Sequence, residues 1–294
     1  MKVSTTKVSA SSPSSYSSIE RAIKSYNATA NNDNGSSGKG EEQQLHVWNT
    51  KPNYDETRHF FGKSFAGTTE VPGEPVCDWM VNQLFEDEAT AWYTKEKHRE
   101  AFSFFMSFPL YESFHLHQPL IVQKKDTKTD DIISTAVILE YDRQRETSRL
   151  YKIRKGWNTF RAAVNLVAYK EGLPELLKSN HKDDGKRVGK KAEAAIGAFK
   201  KYHKNHGPTG KHWYIYMVGV NPDYNGQGYG GELMRKVGSL ADEVGMMCYL
   251  ECGARNQPFY EKMGYEVVAK HVISDPDDTS GMPLEAYVMI RHPK

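Results

Sequence analysis

Four glycines lie within six positions in the last third of the chain, at Gly226, Gly228, Gly230 and Gly231. Glycine lets the backbone approach a ligand closely, because no Cβ stands in the way. The exposed N–H groups at the start of a following helix attract anions. This composition is typical of a loop that binds phosphate groups.

The sequence on either side of these glycines predicts the elements that such a loop needs. An apolar run starts at Trp213 and ends at Pro222, and it predicts a strand. After the loop, apolar residues repeat at the spacing of one helix face: Leu233, Val237, Leu240, Ala241 and Val244. The predicted order is therefore strand, glycine loop, helix.

Two well-known classes of phosphate-binding loop are rich in glycine, the Walker loop and the dinucleotide-binding loop. A Walker loop needs Lys and Ser or Thr after its last glycine, whereas Gly231 is followed by Glu232 and Leu233, which excludes that class. Residues 226–231 satisfy the dinucleotide fingerprint Gly-x-Gly-x-x-Gly, and Glu251 stands about 20 residues further on. The glycines alone therefore leave a nucleotide-dependent oxidoreductase open.

The stretch after the predicted helix argues against an oxidoreductase. Residues 247–251 predict a short strand, Asn256 and Pro258 are typical of a helix start, and Gly264 is placed to end that helix. The segment Tyr249–Tyr265, YLECGARNQPFYEKMGY, closely resembles the second conserved block of the GNAT superfamily of N-acetyltransferases.

The first block of that superfamily is matched as well. It follows a strand ending Val-x-Pro and is similar to residues 220–230, Val-Asn-Pro-Asp-Tyr-Asn-Gly-Gln-Gly-Tyr-Gly, although Asn225 stands where the family usually has Gln or Arg. Residues 212–220 most resemble the branch that includes puromycin acetyltransferase and its uncharacterised fungal and algal relatives. Two blocks in the right order and at the right separation are far more specific than the glycines.

The resemblance implies both a fold and an activity. The expected fold class is α+β, with a mixed, mostly antiparallel central sheet and helices on both faces. The expected activity is an acetyl-CoA-dependent N-acetyltransferase, in which the acetyl group passes directly from coenzyme A to a primary amine within a ternary complex. Neither an acyl-enzyme nor a metal is expected, and no third metal ligand accompanies His115 and His117.

The resemblance also assigns residues to acetyl-CoA. In this family the pantetheine arm lies along the strand before the loop, the pyrophosphate lies on the loop, and a tyrosine on the next helix faces the CoA sulfur. The corresponding residues here are Val218, Gly219, Val220, Asn225, Gly226, Gln227, Gly228, Tyr229, Gly230, Gly231, Asn256 and Tyr260. Tyr260 is the expected general acid, and the main-chain N–H nearest Val218 is the expected oxyanion donor. For Asn256, a plain helix cap remains an alternative.

The general base is less well specified. An alkyl amine has a pKa near 10, so only about a thousandth of it is nucleophilic at neutral pH and a proton must be removed. Glu251 is one candidate, at the end of a strand expected to splay from residues 216–220, although a solvated or ion-paired carboxylate is equally compatible with its position. Tyr216 is a second candidate, as a proton relay or a wall of the pocket, and a water chain is a third.

The composition of the chain indicates which classes of partner and which cellular location to expect. The net charge of 294 residues is +2, which gives no general field for nucleic acid or an anionic membrane, so neither partner is expected. No apolar run approaches membrane-spanning length. Three cysteines cannot all pair, and a reducing, cytoplasmic location is the simplest interpretation. The Ser-rich start leaves an organelle targeting segment open.

The chain divides into a polar start and a globular remainder. Residues 1–44 are rich in Ser, Asn and Gly and predict a disordered tail, with a docked helix carrying Ile19, Ile23 and Tyr26 as the alternative. Residues 45–294 predict the acetyltransferase domain, and residues 150–206 a helical insertion that covers the acceptor side. Further predicted elements are helices at 56–65, 76–84 and 95–106 and strands at 45–49, 120–123, 132–140 and 284–291.

Two other functions remain open from the sequence. A protein N-terminal or lysine acetyltransferase needs an open peptide groove, and the 150–206 insertion favours a small acceptor over it. A non-catalytic acyl-CoA-binding module predicts loss of the catalytic tyrosine, yet Tyr260 is present. The acceptor itself is not specified, because fold does not determine substrate.

Overall fold

A computed structural model describes residues 17–33, 45–49, 119–126, 128–129, 132–169, 182–274 and 283–294. In chain order, its elements are α1 (Ser18–Asp33), β1 (Leu45–Asn49), β2 (Leu120–Lys125), β3 (Ile132–Tyr141), α2 (Arg143–Thr147), α3 (Arg149–Tyr169), α4 (Lys182–His206), β4 (His212–Val220), a 3-10 turn (Pro222–Tyr224), α5 (Tyr229–Val244), β5 (Cys248–Gly253), α6 (Gln257–Lys262), β6 (Glu266–Ile273) and β7 (Leu284–Arg291). The helices predicted at 56–65, 76–84 and 95–106 lie outside the described residues.

The described strands form one seven-stranded sheet in the order β1-β2-β3-β4-β5-β7-β6. Neighbouring strands are antiparallel except for β4 and β5, which run parallel. The connection between two parallel neighbours needs a crossover, and α5 supplies it between β4 and β5. The predicted mixed, mostly antiparallel sheet is therefore confirmed.

Helices pack on both faces of this sheet, as predicted. On one face α1, α5 and α6 enclose a core that includes Trp213, Val237 and Leu250. On the other face α4 packs against a second cluster that includes Tyr249 and Val288. Tyr249 and Leu250 are adjacent in β5 and point to opposite faces, as the alternation of side chains along a strand requires.

Helix α1 corrects the prediction of a disordered start. Ser17 and Glu20 form a capping box: each backbone N–H is 3.2 Å from the side-chain oxygen of the other residue. Ile19 and Ala22, one turn apart, are buried in the core beneath α5. The prediction of disorder is therefore wrong for residues 18–33, because a short apolar stripe suffices when a folded domain covers it. Residues 1–16 and 34–44 lie outside the described part.

Two helices, α3 and α4, occupy the region predicted as a helical insertion. The second of them ends against the sheet: Tyr202 is buried and Phe199 is partly buried in the cluster that contains Tyr249. The C-terminal end of α4 therefore belongs to the layer of side chains that lies behind the candidate site.

Candidate active site

A cleft opens between the two parallel strands of the sheet. Strands β4 and β5 pair only near their N-terminal ends, Trp213 with Cys248 and Tyr214 with Tyr249. Beyond that point β5 continues to pair with β7 as far as Gly253, and β4 continues to pair with β3. Among the described residues no strand fills the space between them, so the sheet splits at its centre.

A β-bulge in β4 accounts for the split. Ile215 and Met217 face consecutive residues of β3, so Tyr216 is the extra residue on β4. A bulge bends a strand and increases its twist, which carries the rest of β4 away from β5. The edge of β4 that faces the cleft then includes Val218, Gly219 and Val220, which the sequence assigns to the pantetheine arm. Their role remains a prediction.

The glycine loop lies beyond the open end of this cleft. Gly226 and Gly228 have φ values of 76° and 87°, in the left-handed region that favours glycine. A Cβ built on either residue meets no heavy atom within 4 Å, so the space in front of the loop is open. Helix α5 follows directly, and its N-cap, Gly228, offers no side-chain acceptor to the first N–H groups. These N–H groups therefore suit an anion.

Gly230 has a different reason to be glycine. Its Cβ would lie 3.2 Å from Cγ2 of Val220 and 3.6 Å from the ring of Phe259. The first turn of α5 therefore packs closely against the end of β4 and against α6. This contact fixes the loop relative to the cleft. Asn225 and Gln227 are exposed on the loop, and Gly231 lies in the first turn of α5.

A buried lysine neutralises the one acidic residue in the first turn of α5. The Nζ of Lys124 lies 2.7 and 2.6 Å from the two carboxylate oxygens of Glu232, and 4.7 Å from the centre of the Tyr229 ring. Because Lys124 compensates that carboxylate, the helix start keeps its attraction for anions. Lys124 is not predicted from the sequence, because it is 108 residues from its partner and carries no local signal.

Glu251 lies near the closed end of the cleft, two residues beyond the last position of β5 that pairs with β4. The Tyr214 hydroxyl donates to its Oε2 at 2.6 Å, and the Tyr249 hydroxyl donates to its Oε1 at 2.6 Å. The residue is only partly exposed and its carboxylate is enclosed by protein. Burial raises the pKa of Glu251 from its usual 4.5 to about 7, while the two phenol hydrogen bonds act in the opposite direction.

This environment bears on the two alternative predictions for Glu251, a solvated carboxylate and an ion-paired carboxylate. Both carboxylate oxygens accept hydrogen bonds from phenols, and within the described part of the chain the carboxylate has no ion-pair partner. Its hydrogen-bond partners were not predicted, although a signal existed. Tyr249 stands two residues before Glu251, so strand alternation places both on one face, whereas Tyr214 comes from another strand and carries no such signal. A carboxyl group with a pKa near neutrality is suited to general base catalysis.

A buried layer of imidazoles lies behind the two phenols. The ring of His203, on α4, stacks on Tyr249 with centroids 4.4 Å apart and lies 5.0 Å from Tyr214. Its Nε2 is 2.7 Å from Nε2 of His212, whose Nδ1 is 2.9 Å from the carbonyl oxygen of Gly210. His212 therefore donates from Nδ1 and accepts at Nε2. Burial lowers the pKa of His203 to about 3 and also lowers that of His212, so both rings are neutral.

The remaining predicted site residues lie around the cleft. The ring of Tyr216 is 5.6 Å from that of Tyr214, so the bulge residue joins the tyrosines near Glu251. Tyr260, on α6, is partly buried and packs between Phe259 and Tyr265, at centroid distances of 5.1 and 5.7 Å. Its role as the acid remains a prediction.

Asn256 requires a correction. It occupies the N-cap position of α6, as predicted, but its side chain makes no capping hydrogen bond and its backbone is already helical, with φ −93° and ψ −14°. An N-cap side chain reaches the helix N–H groups from an extended backbone, which Asn256 lacks. The plain-cap interpretation is therefore wrong. At the other end, Gly264 (φ 85°) stops α6 as predicted.

Two findings concern other classes of function. Within the residues that the structure describes, no group of three or more His, Cys, Asp or Glu side chains is placed to hold a metal ion. In the same residues no helix combines the length and apolar character needed to cross a membrane.

Comparison with known proteins identifies the class of protein. Residues 79–265, more than half of the chain, match the family model described as "Acetyltransferase (GNAT) family". The chain therefore belongs to the acetyltransferase (GNAT) family, whose members use acetyl-CoA. An uncharacterized N-acetyltransferase of Schizosaccharomyces pombe is 35% identical over 81 residues, which are 28% of this chain and 34% of that protein. The match thus spans about a third of that relative.

Solved structures with a similar course of the chain have low sequence identity. The C-terminal condensation domain of Ebony, solved with beta-alanyl-dopamine, is 16% identical, with 85% of this chain and 99% of that chain covered and a TM-score of 0.46. The polyamine N-acetyltransferase of Drosophila melanogaster is 14% identical, with 85% and 100% covered and a TM-score of 0.41. Similarity at this level carries no argument about substrate.

Proposed function

We propose that this protein transfers an acetyl group from acetyl-CoA directly to a primary amine of a small molecule, through a ternary complex. One observation carries the proposal: the split between β4 and β5 has a glycine loop beyond its open end and an enclosed carboxylate, Glu251, near its closed end. Acyl transfer from a thioester with a phosphate-bearing tail to an amine requires the same two features: an anion site for the tail and a nearby base for the amine proton.

The described residues fit acetyl-CoA. The unpaired edge of β4 suits an extended arm that adds as a strand along Val218–Val220, because an open strand edge offers main-chain donors and acceptors. The open space in front of Gly226 and Gly228 suits phosphate oxygens, which the start of α5 attracts. When bound, acetyl-CoA supplies the activated acetyl group of its thioester.

Glu251 is the residue placed to take the amine proton. An alkyl ammonium has a pKa near 10, so transfer of its proton to an ordinary carboxylate is uphill by about 6 pKa units. Raising the pKa of Glu251 to about 7 halves that difference, which lowers the cost of proton transfer by about 3 to 4 kcal/mol. Glu251 is still largely ionised above neutral pH, so it remains available as a base.

Two further groups complete the proposed chemistry. The main-chain N–H near Val218 stabilises negative charge on the acyl oxygen, because it lies on the edge of β4 that faces the cleft. The phenol of Tyr260 donates a proton to the departing thiolate, and a phenol does so without carrying charge at neutral pH. In this assignment no side chain forms a covalent intermediate.

A small acceptor is favoured over a protein substrate. The end of α4 lies against the same face of the sheet as Glu251, and His203 and Tyr202 pack there beside Tyr249. This packing closes one side of the base and limits the room for a peptide. Protein N-termini and lysines remain the second candidate class, and a non-catalytic acyl-CoA-binding protein the third.

Calorimetric titration of the purified full chain tests the ligand first. We expect micromolar binding of acetyl-CoA and none of NADH or ATP at equal concentrations. An amine library, with free CoA thiol as the readout, then tests the reaction, with peptides bearing a free N-terminus or lysine in parallel. Turnover of small amines with inert peptides supports the proposal. Turnover of peptides alone supports a protein N-terminal or lysine acetyltransferase instead. Binding without any turnover supports a non-catalytic acyl-CoA-binding protein.

A further inference from the structure

We propose that Tyr214 and Tyr249 are positioning residues, whose two hydroxyls hold the Glu251 carboxylate in the orientation in which it receives the proton of the acceptor amine. The proposal rests on the function proposed above. It starts from one geometric fact: each carboxylate oxygen has its own phenol donor at 2.6 Å, and the donors come from two different strands.

Two donors on two oxygens fix the plane of a carboxylate. An ionised carboxylate has about four lone-pair sites, and rotation of the group breaks any hydrogen bond that depends on one of them. Tyr214 and Tyr249 occupy one site on each oxygen, so Glu251 cannot turn without losing both bonds. The remaining lone pairs keep one direction relative to the cleft, which is what proton transfer at hydrogen-bond distance requires.

The phenols can act only as donors to this carboxylate. Burial raises the pKa of Tyr214 and of Tyr249 well above the usual value, and the adjacent Glu251 charge raises both further. Both hydroxyls therefore keep their protons over the whole pH range of an assay. A hydrogen bond to the ionised form stabilises the anion, so each phenol opposes the desolvation that raises the pKa of Glu251.

Neighbouring rings hold the phenols themselves in place. The rings of Tyr214 and Tyr249 meet edge to face at 5.4 Å, and His203 lies against both. Among the described residues, the titratable groups that face this cluster from the packed elements are Tyr141 on β3, His203 on α4, and His212 and Tyr216 on β4. On β7 the residue opposite Glu251 is Val288, which does not titrate. Among the described residues, the two phenols are therefore the side chains that donate hydrogen bonds to this carboxylate, beside the backbone N–H of Glu251 itself.

The test uses Tyr214→Phe and Tyr249→Phe, each of which removes a single hydroxyl. Loss of one hydrogen bond to the carboxylate leaves the anion less stabilised, and we expect the pKa of Glu251 to rise by about one to two units in either variant. Tyr287→Phe is the matched control, because its hydroxyl is on the neighbouring strand and faces Glu285 at 3.5 Å. The control leaves Glu251 unchanged.

Two readouts are measured on the full chain. Carbon-13 NMR of protein labelled at the glutamate carboxyl carbon follows the titration of Glu251, assigned with a Glu251→Gln sample. The pH profile of kcat/KM for the best amine follows the acidic limb of activity. The NMR titration needs no turnover and no bound ligand, and either Tyr→Phe variant suffices if the other does not fold.

The outcomes separate this inference from the function on which it rests. Upward movement of both the carboxyl titration and the acidic limb in the Phe variants supports the proposal. An active wild-type protein whose titration or acidic limb stays in place in a folded Phe variant overturns the positioning role alone. Failure of the wild type to acetylate any amine overturns the proposed function, and the positioning role with it, even if the titration moves.

Discussion

Substitution of Gly228 by Ala separates the ligand-binding role of the loop from its backbone strain. Gly228 and Gly245 stand at the two ends of α5, with φ values of 87° and 68°, and a Cβ on either one meets no heavy atom within 4 Å. The two substitutions therefore impose the same kind of strain on the same helix. Only Gly228 faces the proposed phosphate site.

The expected losses of stability and of acetyl-CoA affinity follow from this comparison of the two glycines. A left-handed conformation costs an alanine about 1–2 kcal/mol, so both variants lose that much stability and their Tm falls by a few degrees. At Gly228 the added methyl group also occupies the space that a phosphate oxygen needs. Loss of one charge-assisted hydrogen bond costs about 1.5–3 kcal/mol, which weakens acetyl-CoA binding by about 10- to 100-fold.

Calorimetric titration with acetyl-CoA and thermal unfolding of both variants provide the assay. We expect Gly245→Ala to bind acetyl-CoA within about twofold of the wild type, because the change lies at the far end of the helix. Wild-type affinity in Gly228→Ala would refute the phosphate site. Equal weakening in both variants would show that affinity follows helix stability rather than contact with the ligand.

Three further predictions concern the acid, the base and the docking of α1. Tyr260→Phe lowers kcat much more than it lowers acetyl-CoA affinity, and an unchanged kcat in steady-state assays removes this tyrosine from the acid role. Glu251→Gln lowers kcat by about 10²- to 10⁴-fold. Because folding raises the pKa of Glu251 from 4.5 to about 7, the free energy of unfolding of the wild type falls by up to about 3 kcal/mol as the pH rises from 4.5 to 7. Glutamine does not titrate, so the Tm of the variant relative to the wild type rises from pH 4.5 to pH 7, and a pH-independent difference contradicts the raised pKa. Ser18→Ala leaves the buried indole N–H of Trp213, which is 2.9 Å from the Ser18 hydroxyl, without its acceptor. We expect this change to destabilise the fold by about 1–3 kcal/mol in chemical denaturation. Ser25→Ala removes a solvent-exposed hydrogen bond to Glu243 and changes the stability by less than about 0.5 kcal/mol.

Local chemistry made several elements predictable. Gly226 and Gly228 predict a loop because glycine accepts the left-handed conformations found at these two positions without steric cost. Gly264 predicts the end of α6 for the same reason, and its N–H and that of Tyr265 bond back to carbonyls of the last helical turn at 2.9 and 3.1 Å. These signals depend on residues within a few positions of one another, so the sequence carries them in full.

The helix in the N-terminal segment could not be predicted from local sequence. Ser, Asn and Gly dominate residues 1–44, and composition alone predicts disorder. The structure shows a helix over 18–33, because Ile19 and Ala22 find a core built by residues some 200 positions away and Trp213 donates to Ser18. A short apolar stripe is stabilising only if a partner surface exists, and the stripe itself does not reveal that surface.

The sequence by itself determined the family, the glycine loop at the start of α5, and Glu251 and Tyr260 as candidates for proton transfer. Only the tertiary structure decided what surrounds Glu251. The bulge at Tyr216 and the pairing of β5 with β7 open the cleft, whereas the pairing of β4 with β5 brings Tyr214, 37 residues away in sequence, to the Glu251 carboxylate. Loop and helix-end signals arise from local backbone preference, whereas the burial and hydrogen bonding that set a pKa arise from contacts between distant segments.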